Sequence, residues 1–483
     1  MIPGILSWGT IISCIVFSFI APTAVAYFII VFDLYWLLKT AYLSIHLHYN
    51  WKRMKYSTSL NWPAMLEKLK YDQILQLVIL PYYNESLTIV EHSVASLIHS
   101  GWNKKKMAVV LAAEARAGKA GEEIATIIQK KYGSLFGCFL VTFHPADISG
   151  EIKGKGSNIA YAAEEARKQI LDSQKTSYEN VIVSAFDIDT VAYPHYFECV
   201  TWHFLTSEDP HKRSYQPVPL YNNNIWYAPA LSRVVATSST FWQMIQQERP
   251  EKLATFSSHS VSFKALYDVH YWQKNMVSED SRIFWNLFMA HDGDYSVEPI
   301  SYPVSMDANL STTFWQTIKN IYKQHRRWTW GVENVPYILF SFVKNKNISL
   351  WKKIKVSFVQ LEGFWSLATN PIIIFLLGWL PLMLGGQKFN TTILARNLPI
   401  LTRNLMTLAM LGLVLSAIIS MSLLPPRPEG LGKRKNILMI LQWILVPITI
   451  TVFGAIPGLD AQTRLLFGRY LGFWVTPKHR KSL

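Results

Sequence analysis

The chain has 483 residues, half of them hydrophobic, 14% aromatic and 16% charged, with 47 Lys and Arg against 32 Asp and Glu for a net charge of +15. Roughly 25% charged residues is usual in soluble domains, so an ordinary soluble protein is excluded. Nucleic-acid binding is disfavoured too, because no basic run is interleaved with base-stacking aromatics in a known module, and the excess charge belongs instead to membrane-facing loops. Cys14, Cys138 and Cys199 are few, scattered and odd in number, which indicates neither a disulfide framework nor a CxxC metal site.

The first predicted element is membrane-embedded. No Lys or Arg occurs between Ile5 and Lys39, and the apolar character runs on to Ile45. One helix needs about 20 residues to cross a bilayer, so residues 1–50 suit two short crossings that turn near Pro22. "TAVA" before Tyr27 resembles a signal-peptide cleavage site. No basic residue precedes the apolar run, however, and the run continues past that point, which favours anchors.

Residues 51–333 read as alternating strands and helices. "ILQLVILP" (74–81) is a β-branched apolar run ended by proline, the pattern of a buried strand. Helix "SLTIVEHSVASLIHS", strand "KMAVVLAA" (106–113), helix "AGEEIATIIQKKYG" (120–133) and strand "GCFLVTF" (137–143) follow. Helix "SNIAYAAEEARKQILDS" (157–173) then leads to strand "NVIVSAF" (180–186). Such alternation implies crossover units, an α/β fold and a mostly parallel sheet. In sheets of that kind ligands bind beyond the carboxyl ends of the strands.

The fourth strand ends in "VIVSAFDIDT". An extended path puts Asp187 and Asp189 on the same side, where two carboxylates can hold a hard divalent cation such as Mg²⁺ with water and phosphate oxygens completing its shell. Loop aspartates are also ordinary turn residues, so this pair alone is a weak signal. "MVSEDSRIFWNLFMAHDG" sets Glu279 and Asp280 at the start of a helix whose apolar face is Ile283, Phe284, Leu287 and Phe288. Ser278 as N-cap and the helix dipole account for one of the two acids. The other is placed to take a proton from an attacking hydroxyl.

In "YKQHRRWTWG" (322–331), Gln324, Arg327 and Trp328 share one helix face. A guanidinium fork suits phosphate oxygens, and the indole can stack on a ring. Arg326 points elsewhere and reads as a membrane-surface or solvated charge. Trp330, Tyr337 and Lys344 read as the aromatic belt and anchor of an interfacial segment, 334–355.

The last third holds further apolar runs at 356–384, 398–424 and 437–456, with Pro371 kinking the first or dividing it into a hairpin. That makes three or four crossings within 356–457, and five or six in all. The basic flanks Lys52, Arg53, Lys55, Lys352, Lys353 and Lys355 put residues 46–353 in the cytoplasm of a multi-pass membrane protein, at the inner membrane in a bacterium. Glu362, Asn370, Gln387 and Gln442 are polar enough for a channel face but equally suited to helix packing. The tail, 458–483, ends in "RLLFGRYLGFWVTPKHRKSL" and reads as interfacial.

Taken in order, "PYYNE" (81–85), "GKGSN" (154–158), "FDID" (186–189), "SED" (278–280) and "QHRRW" (324–328) resemble the marks of the membrane-embedded members of glycosyltransferase family 2. That group contains cellulose, chitin and hyaluronan synthases and glucosylceramide synthase. The resemblance covers residues 74–330, with compatible membrane segments on both sides. It implies a cytoplasmic, Rossmann-like GT-A domain inserted between N- and C-terminal transmembrane helices. It further implies donor binding by Tyr83, Asn84 and Glu85, with Asp187 and Asp189 engaging a nucleotide-sugar diphosphate and its Mg²⁺ or Mn²⁺. Lys155 would lie near the diphosphate or sugar, Asp280 would be the general base with Glu279 beside it, and Gln324, Arg327 and Trp328 would close over the donor. The arginine would neutralise the leaving diphosphate and the tryptophan would floor the acceptor site.

One stretch departs from the family pattern. Where the family has a D-D-G-S-like segment after its second strand, this chain reads "LAAEARAG", with Glu114 the nearest acid. UDP is the nucleotide by analogy, and GDP stays open. The family often carries a W-x-T-x-K stretch on the cytoplasmic side, matched here by "WVTPK" (474–478), which favours six crossings. The expected reaction is inverting transfer to a lipid or a growing polysaccharide at the membrane, with single addition to a lipid preferred for want of an obvious polar channel face. The alternatives are a processive synthase exporting through its helices and, in another class, a transporter or an inert nucleotide-sugar sensor.

Overall fold

A computed structural model describes residues 1–480 of the chain. Helices α1 (Ile2–Ile20) and α2 (Pro22–Ser59) are broken at Ala21, where Pro22 has no amide proton to give the preceding turn and its fixed φ starts a new helix. At 38 residues α2 outruns a bilayer. Its last turns enter the α/β domain, where Leu47 and Met54 pack on Val218, Leu220 and Phe241. Asn50 donates there to Glu248 and Ser301 at 3.1 and 3.2 Å.

The four strands expected from the sequence form, each within two residues of its expected start. They are β1 (Leu75–Tyr82), β2 (Met107–Glu114), β3 (Cys138–His144) and β4 (Val181–Ala185), all parallel in the order β3-β2-β1-β4. Helices α3 (Leu87–Ile98), α4 (Gly118–Tyr132) and α5 (Lys155–Ala166) make the crossovers. Alternate strand residues serve two separate cores. Leu77, Ile79 and Val110 face one with Ile159 and Ala163, while Val78, Leu80 and Val109 face the other with Ile89 and Val94. Burial on both faces explains why these strands read as continuous apolar runs.

The sheet then continues through β5 (Val191–Ala192), β6 (Arg213–Leu220), β7 (Ser260–Ser262) and β8 (Ser296–Ser305) to eight strands, in the order β3-β2-β1-β4-β7-β6-β8-β5. Prolines interrupt β6 and β8, and the β6–β8 register slips between Gln216 and Val218, around Pro217. A proline that cannot donate to the ladder forces such an irregularity. Helices α6 (Ala230–Gln247), α7 (Glu279–Ala290) and α8 (Phe314–Thr329) complete the domain.

One expectation for the next segment is corrected. Trp330 is fully buried and edge-on to Tyr470 at 5.4 Å, not part of an aromatic belt. In the helix Asn334–Lys344, Ile338 and Phe342 join the core around Phe284 and Phe288, because that apolar stripe meets protein before it meets lipid.

Beyond it lie α9 (Leu350–Phe375), α10 (Ile393–Ala409), α11 (Leu411–Ser422) and a broken helical run, Arg434–Leu466. Pro371 sits inside α9 without ending it; the chain bends only by 49°, after Phe375, so no hairpin forms at the proline. Among the described residues four helices are long and apolar enough to cross a membrane, or five if the bent pair Leu350–Phe375 and Leu377–Leu384 counts as one.

The run 434–466 packs on the α/β domain and, in its second half, also on α1 and α9, where Gln462 accepts from Ser7 at 2.7 Å and donates to the Phe364 carbonyl at 2.8 Å. Gln442 accepts from Arg233 at 2.6 Å, Trp443 stacks on Phe241 at 5.4 Å, and Phe453 packs on Val235 and Ile321. Asp460 pairs with Arg326 at 2.9 Å. Its outward stripe, with Ile437, Leu441, Ile444 and Ile448, is exposed.

Candidate active site

The candidate side chains stand where regular elements stop. β4 ends at Ala185, but the path stays extended for one more step, as the Phe186 amide donates to the Ile79 carbonyl at 3.1 Å. Ile188 is buried in the core, its carbonyl accepting the Ser93 hydroxyl, and this anchor holds the two flanking aspartates at the rim. Asp189 accepts the Asp307 amide at 3.1 Å.

Lys155 opens α5 directly after Gly154. Its Nζ lies 2.6 Å from Asp187 and 2.9 and 2.8 Å from the two Asp280 oxygens. One buried ammonium therefore bridges carboxylates that are 93 residues apart in the chain. Burial alone would raise the Asp187 carboxyl, but Lys155 first and Lys478 next outweigh it and hold the group well below its ordinary range.

Glu279 and Asp280 are the first two residues of α7. Ser278 does precede them, yet its hydroxyl does not cap the helix; it donates to Glu333 at 2.6 Å, and Glu333 also accepts from Tyr470 at 2.9 Å. Glu279 is 1% exposed, and its Oε2 has no partner among the described residues. Burial, and after it the Asp280 charge, push its carboxyl up to about 8.

From the membrane side, α8 brings Arg327 over the cleft. Its guanidinium lies 5.0 Å from the Phe473 ring, Nε is buried without a partner, and among the described residues it makes no ion pair. Its charge nonetheless reaches both Asp187 and Glu279. Trp328 lies between Tyr221 at 5.9 Å and Phe256 at 5.8 Å and packs on the same apolar cluster as Leu424 and Leu431. Gln324 accepts a long contact, 3.5 Å, from Asn309. Arg326 does point away, to Asp460.

The loop after β1 forms a second wall. Glu85 accepts the Tyr83 amide at 2.8 Å, and burial, its largest influence, raises its carboxyl. Asn84 is exposed. Arg116 stacks over the Tyr83 ring at 4.1 Å and grips Glu114 at 2.5 and 2.9 Å. Glu114 thus belongs to a Tyr83–Arg116 cluster, and the structure gives it no contact with Asp187 or Asp280.

The largest difference from expectation is the tail. Residues 470–480 do not lie along the membrane surface; they cross the cleft. Lys478 pairs with Asp189, and Arg480 donates to Asp307 at 3.0 and 2.8 Å and lies 2.5 Å from His92. Phe473 covers Gly154, and Trp474 lies under the Lys323 ammonium at 5.1 Å. Two buried carboxylates at the rim, Asp189 and Asp307, attract these cations more strongly than a solvated surface would. Asp307, His92, Arg116 and Tyr221 carried no sequence signal. "WVTPK" did, but its charge complement lies nearly three hundred residues upstream.

Metal binding can be judged from the donors. No cluster of three or more His, Cys, Asp or Glu side chains is arranged to hold an ion among the described residues. Asp187 and Asp189 remain, two residues apart after β4, the first held by Lys155 and the second by Lys478. Two carboxylates fit a Mg²⁺ or Mn²⁺ ion that takes the rest of its shell from diphosphate and water.

A family model described as Glycosyl transferase family group 2 matches residues 182–453, more than half of the chain. A search of curated proteins finds no match. Among solved structures the chain is similar to the mannosyltransferase PcManGT from Pyrobaculum calidifontis in complex with GDP-Man and Mn²⁺, at 15% identity and a TM-score of 0.45 over 81% of this chain and 99% of that one. It is also similar to S. aureus TarS 1–349 in complex with UDP-GlcNAc, at 10% identity and a TM-score of 0.38, covering 82% and 93%.

Proposed function

We propose, from the premise that this chain belongs to glycosyl transferase family group 2, that it moves a sugar from a nucleoside-diphosphate donor to an acceptor at the membrane with inversion. The observation that carries the reading is the convergence of Asp187, Lys155 and Asp280 under Arg327. Asp280 takes the proton of the acceptor hydroxyl as it attacks the anomeric carbon. A carboxylate on the face opposite the leaving group suits a single displacement through an oxocarbenium-like state. Arg327, free of any protein carboxylate, stabilises charge that develops on the departing diphosphate. Asp187 and Asp189 would hold the Mg²⁺ or Mn²⁺, which when bound supplies Lewis-acid neutralisation of that diphosphate. Tyr83, Asn84 and Glu85 form the donor's nucleoside side, with Arg116 and Glu114 behind them; Gln324 and Trp328 close the acceptor side. UDP is the donor nucleotide by the family resemblance, with GDP the alternative.

Two observations favour single addition to a lipid over processive export. Glu362 is taken by Lys39 of α2, Asn370 by Ser366 one turn back in α9, and Gln442 by Arg233 of the α/β domain, so three of the four polar groups named for a channel face are engaged by protein. Trp328 packs on the apolar cluster of Tyr221 and Met439, together with Met421 at the end of α11 and with Leu424 and Leu431 just after it. We also read the protein as crossing the bilayer four times, through α1, α2, α9 and the continuous α10–α11, with 434–466 lying flat at the interface. A tail that shares the cleft's compartment requires an even number of crossings, and the domain contacts along that run favour this assignment.

The test is nucleoside diphosphate release by purified protein with each UDP- and GDP-sugar, with and without EDTA, followed by sizing of labelled product on a gel. EDTA-sensitive release and a product one sugar longer are expected. A ladder of long products would replace the lipid reading with the processive one, and no release with any donor would remove the enzymatic reading.

A further inference from the structure

A cationic cluster lies away from the cleft, where α2 and α9 meet the segment after α6. Arg249 is 8% exposed, yet no carboxylate approaches within ion-pairing distance among the described residues. Its Nε is buried without a partner, its one hydrogen bond is a 3.5 Å contact to Gln246, and its Cζ lies 5.6 Å from the Tyr42 ring of α2. A guanidinium stripped of water and left without a counter-charge is unfavourable unless something else supplies the charge.

The surroundings are cationic. Lys252, half-buried three residues on, forms no ion pair among the described residues. Burial first, and then the Arg249 charge, push its ammonium below its ordinary range. Lys39 of α2 lies close by; it is 3.1 Å from Glu362 and 3.1 Å from Ser366 of α9, beside the rings of Tyr35 and Trp36. The acids in reach do not quench the site. Glu362 is engaged by Lys39, Glu248 by Asn50 and Arg53, and Glu251 is exposed to solvent.

The place identifies the ligand's carrier. On one side α2 turns into its apolar half, with exposed Tyr35, Leu38 and Tyr42. On the other, α9 shows Ile354 and Phe358 outward. Basic pockets between membrane helices at the cytoplasmic boundary are suited to lipid headgroups, and the aromatic side chains mark that same depth. We propose that Arg249 and Lys252, backed by Lys39, bind the phosphate of an inner-leaflet lipid whose chains lie against α2 and α9. The pocket is also tied to the cleft. The chain passes from Arg249 through Leu253, in the domain core, to Thr255, whose hydroxyl donates to the Asp280 carbonyl at 2.5 Å, and to Phe256 beside Trp328. Occupancy therefore steadies the loop that supports the acceptor floor.

The test uses the full chain in detergent, exchanged against phosphatidylglycerol, a polyprenyl monophosphate or phosphatidylcholine, with retained lipid counted by native mass spectrometry. The wild type should hold one anionic lipid more tightly than phosphatidylcholine. K252Q and R249Q should each weaken retention about fivefold, the share of one surface cation, while R249K keeps most of it. Equal retention by wild type and K252Q, whose half-exposed position leaves folding intact, would overturn the proposal. So would displacement of the lipid by millimolar inorganic phosphate, which would assign the site to a soluble anion. Preference for the monophosphate would name an acceptor-type lipid as the occupant, and preference for phosphatidylglycerol a bilayer phospholipid; either supports the site. Because the readout is binding, it stands or fails separately from the transfer chemistry proposed above.

Discussion

Two ion-pair nodes sit side by side in the cleft, built from the same chemistry but from different parts of the chain. In the first, Asp187 and Asp280 share Lys155, and all three stand at the ends of packed strands and helices of the α/β domain. In the second, Asp189 and Asp307 are met by Lys478 and Arg480, which arrive on an extended tail. A counter-charge at the start of a packed helix is a fixed part of the site. One delivered by a strap with no secondary structure is held there by its own ion pairs and by the contacts of Tyr470, Phe473 and Trp474. The first node is fixed by the domain's own fold, and the second depends on where the tail lies.

The comparison is sharpest at Asp280. D280N should lower turnover by about 10²–10⁴-fold, the usual worth of a general base, while donor binding measured by calorimetry stays nearly unchanged. Wild-type turnover would take the base away from this node. R327A should cost roughly 10²–10³-fold in kcat, as loss of one preorganised electrostatic group does. A defect confined to KM would contradict its leaving-group role. K478A removes one charged contact that the tail can make to a bound diphosphate, so donor KM should rise about tenfold to a hundredfold. An unchanged KM would mean that the tail merely rests in the cleft.

The smallest effect is on stability. The Glu279 carboxyl is raised from 4.5 to about 8 in the folded chain, so between those values the folded state holds a proton that the unfolded state has lost. Stability should therefore fall as pH rises from about 5 to 8 and level off above it. E279Q should flatten that slope in melting curves taken across the range. An identical slope in both proteins would place the titration elsewhere.

How far the sequence led differs between the same two nodes. The parallel half of the sheet was legible because β1, β2 and β4 are buried on both faces and read as unbroken apolar runs. Asp187, Asp280 and Arg327 were legible because each stands at a strand end or on a helix face where spacing alone limits where it can point. The second half of the sheet was not, since prolines in β6 and β8 hide the strand pattern and β5 and β7 span only two and three residues. The tail misled for a physical reason. A basic, aromatic segment satisfies a membrane surface and a pair of buried carboxylates equally well, and only three-dimensional proximity distinguishes them. Trp330 misled likewise, because an apolar side chain does not say whether lipid or protein will cover it.

The bare α-carbon at Gly154 has a consequence for the strap. A methyl group there would meet the Phe473 ring at 2.6 Å, inside any tolerable contact. The absence of a side chain is what lets an aromatic from the far end of the polypeptide settle onto the start of the helix bearing Lys155. So close an approach needs a smooth seat, and one hydrogen atom provides it.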